Sequence, residues 1–322
     1  MLNEYYLGVD LGGTNVAAAL VTPAGQIISR ARLKTPRGAE AIAEAVARAA
    51  QLALEEAQYT LPVEAVVGVG VPGTVFRSAV VTYACNLELS NVPLADMVAS
   101  RLDRHVLLEN DANAAALGEY VAGAGRRAES LVCVTLGTGV GGGVILDGRL
   151  FTGFNSAGAE LGHIVIHENG VPCACGRRGC LEAYASATAL IRLTRAAMAE
   201  HPDSLCWKLA GSPEGVDGRT PFAAARQGDP AAQEVVAAYL DSLACGLVNI
   251  VNIFQPQVLC LGGGVANEGA ALLGPLQRVL DREDYARTSP MRTRLTLAEL
   301  GNDAGLIGAA LLPRFRTQGR LA

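Results

Sequence analysis

The sequence predicts an α/β protein built from two similar lobes, and three observations support this. The chain has 322 residues, half of them apolar, which suits one large domain or two of medium size. Short apolar runs rich in β-branched residues alternate with Ala-rich segments at helical spacing. A strand–glycine–strand pattern at residues 9–14 returns at 134–139, an offset of 125 residues, and helical segments follow both copies. Two copies of one unit predict two lobes, although two coincidental glycine hairpins remain the alternative.

The first half of the chain begins with short strands that glycine-containing turns separate. Gly12, Gly13 and Gly25 mark those turns. A later continuous apolar run ends at Pro72-Gly73 and is typical of a buried strand. In order, the predicted elements are strands at 5–10, 16–21 and 26–33, a helix at 40–57, a strand at 63–71, a helix at 94–102, a strand at 106–109 and a helix at 111–121.

The second half repeats the hairpin and continues with long helices. The predicted elements are helices at 183–200 and 230–254 and a strand at 257–261 that runs into Gly262, Gly263 and Gly264. We therefore expect one lobe at 1–122 and a second at 123–322, with a cysteine-rich loop at 163–180 in the second lobe. A C-terminal helix near 300–315 is expected to pack back on the first lobe.

Composition excludes several classes of function. The net charge of −5 offers no basic surface for nucleic acid. No uninterrupted run of 18 apolar residues predicts a membrane span, and the N-terminus lacks the pattern of a signal peptide. Eight cysteines in a chain of this kind are thiols or metal ligands rather than a disulfide framework. We expect a soluble cytoplasmic protein.

The glycine-rich segments raise the question of which phosphate compound they bind. Residues 68–73 and 137–142 both match the dinucleotide pattern G-x-G-x-x-G, but strand-forming residues follow each. A dinucleotide site needs a helix directly after the glycines, so neither match predicts one. A glycine turn between strands can still bind phosphate through converging N–H groups. Asp10, at the end of the first strand, could face Mg²⁺ that is bound to such phosphates, because carboxylate oxygens are ligands that Mg²⁺ prefers. The alternative is an ordinary turn aspartate.

A histidine and three cysteines have the spacing of a structural metal site. The pattern is His-x₉-Cys-x-Cys-x₄-Cys, with glycines at 176 and 179 that allow the chain to fold back. Such a Cys₃His set is typical of tetrahedral zinc, and incidental buried thiols are the alternative. The four predicted ligands are His163, Cys173, Cys175 and Cys180.

Six segments in a fixed order carry a family resemblance. They are DLGGTN at 10–15, ENDANAAALGEY at 109–120, LGTGVGGG at 136–143, AELGH at 159–163, CACGRRGCLE at 173–182 and LGGGVA at 261–266. Together they resemble the ROK family of sugar kinases and sugar-responsive repressors, and within it the bacterial glucokinases. The resemblance covers about residues 5–312. It implies the two-lobed actin-like, hexokinase-like fold with a cleft between the lobes.

The resemblance also implies an activity and a set of site residues. The activity is ATP-dependent phosphorylation of a hexose, most simply glucose at its 6-hydroxyl group, with Mg²⁺ accompanying ATP and structural Zn²⁺ in the cysteine-rich loop. Asp111 would be the general base, although an aspartate at that junction also suits a helix N-cap. The expected sugar-binding residues are Asn86, Asn110, Asp111, Glu160, His163 and Glu182. The expected nucleotide-binding residues are Asp10, Gly12, Gly13, Thr14, Asn15, Gly137, Thr138, Gly139, Gly262, Gly263 and Gly264.

Two departures from the family pattern leave the preferred sugar open. Leu89 stands where the family commonly has Trp, and Ala159 stands where many glucokinases have Gly. Fructose, mannose, N-acetylglucosamine and N-acetylmannosamine are alternative acceptors, and polyphosphate is an alternative donor. A non-catalytic regulator without its DNA-binding domain is the alternative from another class. The long apolar helices of the second lobe predict a homodimer or a higher homo-oligomer.

Overall fold

The computed structural model describes residues 5–316. The described part contains thirteen strands and ten α-helices. The strands are β1 (Tyr6–Leu11), β2 (Asn15–Val21), β3 (Ile27–Lys34), β4 (Val66–Val71), β5 (Thr74–Phe76), β6 (Val80–Ala84), β7 (Leu89–Val92), β8 (His105–Asn110), β9 (Leu131–Leu136), β10 (Val140–Leu146), β11 (Arg149–Phe151), β12 (Val258–Gly262) and β13 (Arg294–Leu297). The helices are α1 (Ala39–Ala57), α2 (Leu94–Leu102), α3 (Asp111–Ala122), α4 (Glu182–Ala185), α5 (Ala187–Glu200), α6 (Leu205–Ala210), α7 (Thr220–Arg226), α8 (Pro230–Phe254), α9 (Ala270–Glu283) and α10 (Ala304–Arg316).

The strands and helices predicted from the sequence are confirmed, with shifts of a few residues at their ends. The helix predicted at 183–200 is interrupted, because Ser186 adopts an extended backbone and caps α5 through its side chain. The small antiparallel sheet β5-β6-β7 was not predicted. Its strands are three to five residues long, which is too short for a clear alternating pattern.

The internal repeat is present in the two larger sheets. Their strand orders are β3-β2-β1-β4-β8 and β11-β10-β9-β12-β13. In both, the first three strands run in reverse chain order and the next two follow on the other side of the first. The bounds of β9 and β10 lie 125 residues after those of β1 and β2, from 6 to 131 and from 15 to 140. The glycine hairpins therefore open two copies of one topology.

Residue contacts group the chain into two compact units. Within the described residues, the first unit holds 5–133, Gly143–Ala159 and 299–316. The second unit holds Val134–Gly142 and Glu160–Ala298. The lobe boundary expected between residues 122 and 123 stays a prediction. The two units do not test it, because each unit combines segments that are separated along the chain.

Helices cover the large sheet of the first unit on both faces. Along β2, alternate residues belong to different apolar clusters because successive side chains of a strand point to opposite faces. Val16, Ala18 and Leu20 pack in the cluster that contains α1. Ala19 and Val21 pack in the cluster that contains α10. The C-terminal helix is thus part of the core of this unit.

Glycines allow α10 to approach the sheet closely. A Cβ atom on Gly8 of β1 would collide with the backbone of Ala310, and one on Gly68 of β4 would collide with the carbonyl group of Ala309. Any larger residue at Gly8 or Gly68 would push the helix off the strands. This packing brings the beginning of α10 to the end of β1, where Asp10 lies.

The longest helix, α8, forms the centre of the helical part of the second unit. Asp229 caps its N-terminus by accepting a hydrogen bond from the N–H of Ala232, and Pro230 occupies the first turn. Helices α5, α7 and α9 pack against it. By length and composition α8 could cross a membrane, but half of its most apolar window is buried inside the protein. Its apolar character is therefore that of a core helix.

Candidate active-site residues and metal cluster

Asp10 lies near the C-terminal end of β1 in partly buried surroundings. Two glycines face its carboxylate: a Cβ on Gly70 or Gly305 would lie 3.7 Å from a carboxylate atom. Burial, and then the nearby negative charge of Asp111, raise the pKa of Asp10 to about 6. Both causes disfavour the charged form of the carboxylate, and a bound cation would favour it.

The junction between β8 and α3 carries Asn110 and Asp111. The Oδ1 atom of Asn110 accepts hydrogen bonds from the N–H groups of Ala112 at 2.9 Å and Asn113 at 3.2 Å. Its Nδ2 atom donates to the carbonyl oxygen of Gly73 at 3.0 Å. Asn110 is therefore the N-cap of α3, a role that the sequence pattern left open for Asp111.

Asp111 is the first residue of α3 and its side chain is exposed. Its Oδ1 atom accepts a hydrogen bond from the N–H of Ala112 at 2.8 Å. The positive end of the helix dipole favours a negative charge in this turn. The arrangement presents a carboxylate at the surface of the first unit, near Asp10.

A buried carboxylate supports this junction, and sequence reasoning missed its role. Glu109 is 1% exposed. Its Oε1 atom accepts hydrogen bonds from the N–H of Asn110 and from the Nδ2 atom of Asn113, each at 3.0 Å. A glutamate at the end of an otherwise apolar strand was the available signal. Glu109 thus fixes the backbone that leads into Asp111.

The first glycine turn joins β1 to β2. The N–H of Gly12 donates to the carbonyl oxygen of Asn15 at 2.9 Å, and the hydroxyl group of Thr35 donates to the carbonyl oxygen of Gly12 at 2.7 Å. Gly13 and Thr14 form the exposed tip of the turn. A Cβ on Gly13 would lie 3.4 Å from the Cβ of Asn86, so the structure brings this predicted sugar-binding residue next to the turn.

The second glycine turn joins β9 to β10. The N–H of Gly137 donates to the carbonyl oxygen of Gly139 at 3.0 Å. The N–H of Val140 donates to Oε2 of Glu182 at 3.0 Å, and a Cβ on Gly139 would collide with that carboxylate. Glu182, predicted as a sugar-binding residue, thus also supports the turn.

The third glycine cluster follows β12 in the same unit. Gly263 has a φ of 83°, and a Cβ there would collide with the backbone of Leu136, the residue before Gly137. A Cβ on Gly264 would meet nothing within 4 Å. Gly263 therefore lies against the base of the second turn, and among the glycines at 262–264 only Gly264 has open space at its Cβ position.

The four predicted metal ligands lie together in the second unit. One ligand atom from each of His163, Cys173, Cys175 and Cys180 lies within 4.8 Å of the others. The Sγ of Cys173 is 3.7 Å from Nδ1 of His163, and the Sγ atoms of Cys175 and Cys180 are also 3.7 Å apart. Tetrahedral zinc with Zn–S bonds of about 2.3 Å separates two sulfur atoms by about 3.8 Å. The residues fit such an ion.

Local backbone geometry explains how four ligands meet. Gly176 and Gly179 have φ values of 89° and 80°, which residues with a side chain rarely adopt. The N–H of Cys173 donates to the carbonyl oxygen of Arg177 at 2.9 Å and closes the loop. Burial raises the pKa of the Cys173 thiol to about 12. A bound cation would favour the thiolate form of this side chain.

His163 and Glu160 lie on one short turn. The N–H of His163 donates to the carbonyl oxygen of Glu160 at 3.0 Å. Because Nδ1 of His163 faces Cys173, its Nε2 atom is the nitrogen left for another partner. Ala159 has a φ of 65°, a left-handed conformation that glycine adopts more readily than alanine. The alanine is accommodated at the cost of local backbone strain.

Comparisons with known proteins agree with these observations. The sequence profile of the ROK family matches residues 6–315. The glucokinase of Thermotoga maritima is 42% identical, over 97% of this chain and 98% of its own. The N-acetylmannosamine kinase of Yersinia pseudotuberculosis is 34% identical, over 96% and 98%. The crystal structure of a ROK family glucokinase from Streptomyces griseus in complex with glucose and AMPPNP superposes with a TM-score of 0.81 at 38% identity, covering 98% of this chain and 100% of that one. The predicted two-lobed actin-like fold is confirmed.

Proposed function

Because the chain belongs to the ROK family, we propose that it is an ATP-dependent hexose kinase that converts glucose to glucose 6-phosphate. The curated relative that is 42% identical over nearly the full chain is a glucokinase. The similar structure from Streptomyces griseus holds glucose and AMPPNP, which are a hexose and an analogue of ATP. The observation in this chain that carries the proposal is the position of Asp111. Its carboxylate is exposed, and Asn110 rather than Asp111 caps the helix.

Asp111 is the proposed general base. Its carboxylate accepts the proton of the sugar 6-hydroxyl group as that oxygen attacks the γ-phosphoryl group of ATP, and the bond from the γ-phosphorus to the β,γ-bridging oxygen breaks. The rigid junction between β8 and α3 fixes the position of the carboxylate, because Glu109 holds the backbone and Asn110 caps the helix. General-base catalysis contributes about 10²–10⁴-fold to such a reaction.

The proposed nucleotide site uses the three glycine segments and Asp10. Mg²⁺ bound to ATP would neutralise phosphate charge, and Asp10 is the residue whose carboxylate would face it. In the first unit, Gly12, Gly13, Thr14 and Asn15 contribute the exposed turn. In the second unit, Gly137, Thr138 and Gly139 contribute phosphate-binding backbone, and the glycines at 262–264, with open space beside Gly264, accommodate the adenosine.

The proposed sugar-binding residues all carry side chains that can form hydrogen bonds with the hydroxyl groups of a sugar. Asn86 in the first unit is exposed beside the first turn, and Glu160 in the second unit is exposed beside His163. Asn110 already makes three intramolecular hydrogen bonds, so one Nδ2 hydrogen remains to donate to a hydroxyl oxygen. Nε2 of His163 and the carboxylate of Glu182 complete the set.

The cysteine cluster is the proposed site of structural zinc. Bound zinc would cross-link residues 163 and 173–180 and so hold the loop that carries His163 and leads to Glu182. All four positions are occupied by protein ligands, which is typical of a closed structural site rather than of a catalytic one.

We also propose that the protein is a cytoplasmic homodimer or higher homo-oligomer and that it supplies glycolysis with glucose 6-phosphate. Support for an association surface comes from exposed apolar side chains at the end of α8 and in the loop after α9. Ile253, Tyr285 and Met291 are 65%, 87% and 83% exposed, and the N–H of Tyr285 donates to Oδ1 of Asn252 on α8. Light scattering on the purified protein measures the subunit number.

A coupled assay tests the proposed function. Purified protein is supplied with ATP and, in separate reactions, with glucose, fructose, mannose, N-acetylglucosamine and N-acetylmannosamine, and then with polyphosphate in place of ATP. The expected result is the highest kcat/KM with glucose and ATP. An equal or higher kcat/KM with any other sugar would overturn the assignment to glucose, and no turnover on any sugar would overturn the assignment as a kinase.

A further inference from the structure

The residues that follow the metal cluster hold the second glycine turn at three points. The N–H of Ala187 donates to the carbonyl oxygen of Gly137 at 2.8 Å. The hydroxyl group of Thr188 donates to the carbonyl oxygen of Thr138 at 2.7 Å. On the other side of the turn, Glu182 accepts the N–H of Val140 at 3.0 Å. The carbonyl groups of the turn are therefore directed towards the beginning of α5.

This fixed direction has a consequence for the N–H groups of the same peptides. A peptide group is planar and its C=O and N–H bonds point in opposite directions. Because α5 holds the carbonyl groups of Gly137 and Thr138, the N–H groups of Thr138 and Gly139 point away from α5. Two adjacent N–H groups that point to one side form an anion-binding concavity.

The same segment is connected to the metal cluster. The Sγ of Cys173 lies 3.6 Å from Oε1 of Glu182, while Oε2 of that carboxylate accepts the N–H of Val140. Cys180 is two residues before Glu182 in the chain and supplies another ligand atom of the cluster. One carboxylate thus contacts both the cluster and the glycine turn.

We propose that Thr188 and Glu182 are positioning residues for the nucleotide phosphates, and that the Cys₃His cluster acts through Glu182 on nucleotide affinity as well as on the sugar-binding loop. The inference rests on the proposed kinase function, because it assigns the glycine turn to ATP. Thr188 touches the turn and not the phosphates. Its hydroxyl group keeps the two N–H groups aligned, and Glu182 anchors the other end.

Thr188 variants test the first part of the proposal. Thr188→Val keeps the size of the side chain and removes the donor, whereas Thr188→Ser keeps the donor. The control is Thr194→Val on the same helix. The hydroxyl group of Thr194 donates a hydrogen bond to the carbonyl oxygen of Leu190 at 2.8 Å, and this variant removes it. Dissociation constants for Mg²⁺-AMPPNP and for glucose are measured separately by titration calorimetry.

The expected result is a rise of about 2- to 10-fold in the Kd for AMPPNP in Thr188→Val, the range for loss of one neutral hydrogen bond. The Kd for glucose stays at the wild-type value, and Thr188→Ser and Thr194→Val bind AMPPNP like the wild type. An unchanged nucleotide Kd in Thr188→Val would overturn the role of Thr188. If the wild type binds no AMPPNP, the proposed function fails instead.

A variant of the cluster tests the second part. Cys175→Ser removes a ligand, and Cys245→Ser replaces an exposed cysteine outside the cluster. Circular dichroism selects preparations that remain folded. We expect weaker binding of AMPPNP by Cys175→Ser than by Cys245→Ser, by a factor of at least 2. Equal affinities for AMPPNP of folded Cys175→Ser without zinc and folded Cys245→Ser with zinc would overturn the connection through Glu182.

Discussion

Asn110 caps helix α3, and its neighbour Asp111 is the exposed first residue of that helix. The cap needs a side-chain oxygen directed at the N–H groups of the first turn, and Asn110 supplies it to Ala112 and Asn113. The carboxylate of Asp111, the next residue, is therefore held at the start of the helix but is not needed to cap it. This division of tasks within two residues motivates the first prediction.

Asp111→Asn is expected to lower kcat by about 10²–10⁴-fold, because the amide cannot accept the proton of the sugar hydroxyl group. Glucose binding is expected to persist, since the amide retains the shape of the carboxylate. A matched control is Asp96→Asn, which changes another exposed aspartate in the first turn of a helix of the same unit. Steady-state assays and glucose titrations measure both. Turnover near the wild-type rate in Asp111→Asn would remove this residue from the mechanism.

Glu109→Ala is expected to destabilise the protein by about 1–3 kcal/mol, because it leaves the buried amide of Asn113 and the N–H of Asn110 without their acceptor. The same variant is expected to lower kcat, since the backbone that leads to Asp111 loses its support. Glu109→Gln keeps an acceptor oxygen and should fall between the wild type and Ala. Urea unfolding measures the stability. The control Glu64→Ala, at an exposed position, should change the free energy of unfolding by less than about 0.5 kcal/mol. A loss of stability in Glu64→Ala as large as that in Glu109→Ala would contradict the explanation.

Removal of zinc is expected to lower both stability and activity. Wild-type protein should contain one zinc ion per chain by mass spectrometry, Cys175→Ser should contain none, and Cys245→Ser should match the wild type. Chelation should lower the melting temperature, because bound zinc stabilises only the folded arrangement of its ligands. Added Zn²⁺ should reverse the loss. Fully active wild-type protein without zinc would rule out the structural role.

The stability of the apo-protein is expected to depend on pH through Asp10. Its pKa is raised to about 6 in the folded state, so between about pH 4 and 6 the folded state binds more protons than the unfolded state. Stability therefore falls as pH rises through this window, by at most about 3 kcal/mol for a shift of about two pKa units. Asp10→Asn removes the cost of charging this group and should be the more stable protein at pH 7 but not at pH 4.

Unfolding experiments without nucleotide and Mg²⁺ measure this difference. The same protonation is expected to lower kcat/KM for Mg²⁺-ATP below about pH 6, since a neutral Asp10 no longer favours a cation. Asp10→Asn should be nearly inactive at every pH. A stability difference that is the same at pH 4 and pH 7 would contradict the assignment of the shift to Asp10.

Much of the fold could be predicted because the relevant signals are local. The strands β1, β2, β9 and β10 have apolar runs with glycine between them, and the offset of 125 residues between the two hairpins is visible in the sequence. The Cys₃His cluster could also be predicted, because its three cysteines lie within eight residues. Short spacing limits where the chain can place those side chains.

The support of the candidate site could not be predicted. Thr188 lies 50 residues after the carbonyl group that it holds, and Glu182 lies 42 residues after Val140. Nothing in the sequence marks Gly8 and Gly68 as special strand glycines, because α10, which packs on them, begins at Ala304, 236 residues after Gly68. No pattern in a single sequence records which distant backbone group a threonine or glycine will meet.

The sequence by itself determined the two hairpin-led repeats, the Cys₃His cluster and the position of Asp111 at a strand–helix junction, because residues close together in the chain encode each hairpin, the cysteine spacing and the junction. Only the tertiary structure decided that Asn110 rather than Asp111 caps α3, that Glu109 is buried beneath the junction, and that Glu182 contacts both Cys173 and a glycine turn. The physical reason is that hydrogen-bond partners and burial depend on which segments the packed core brings together, whereas turns and ligand spacing depend on the chain within a few residues.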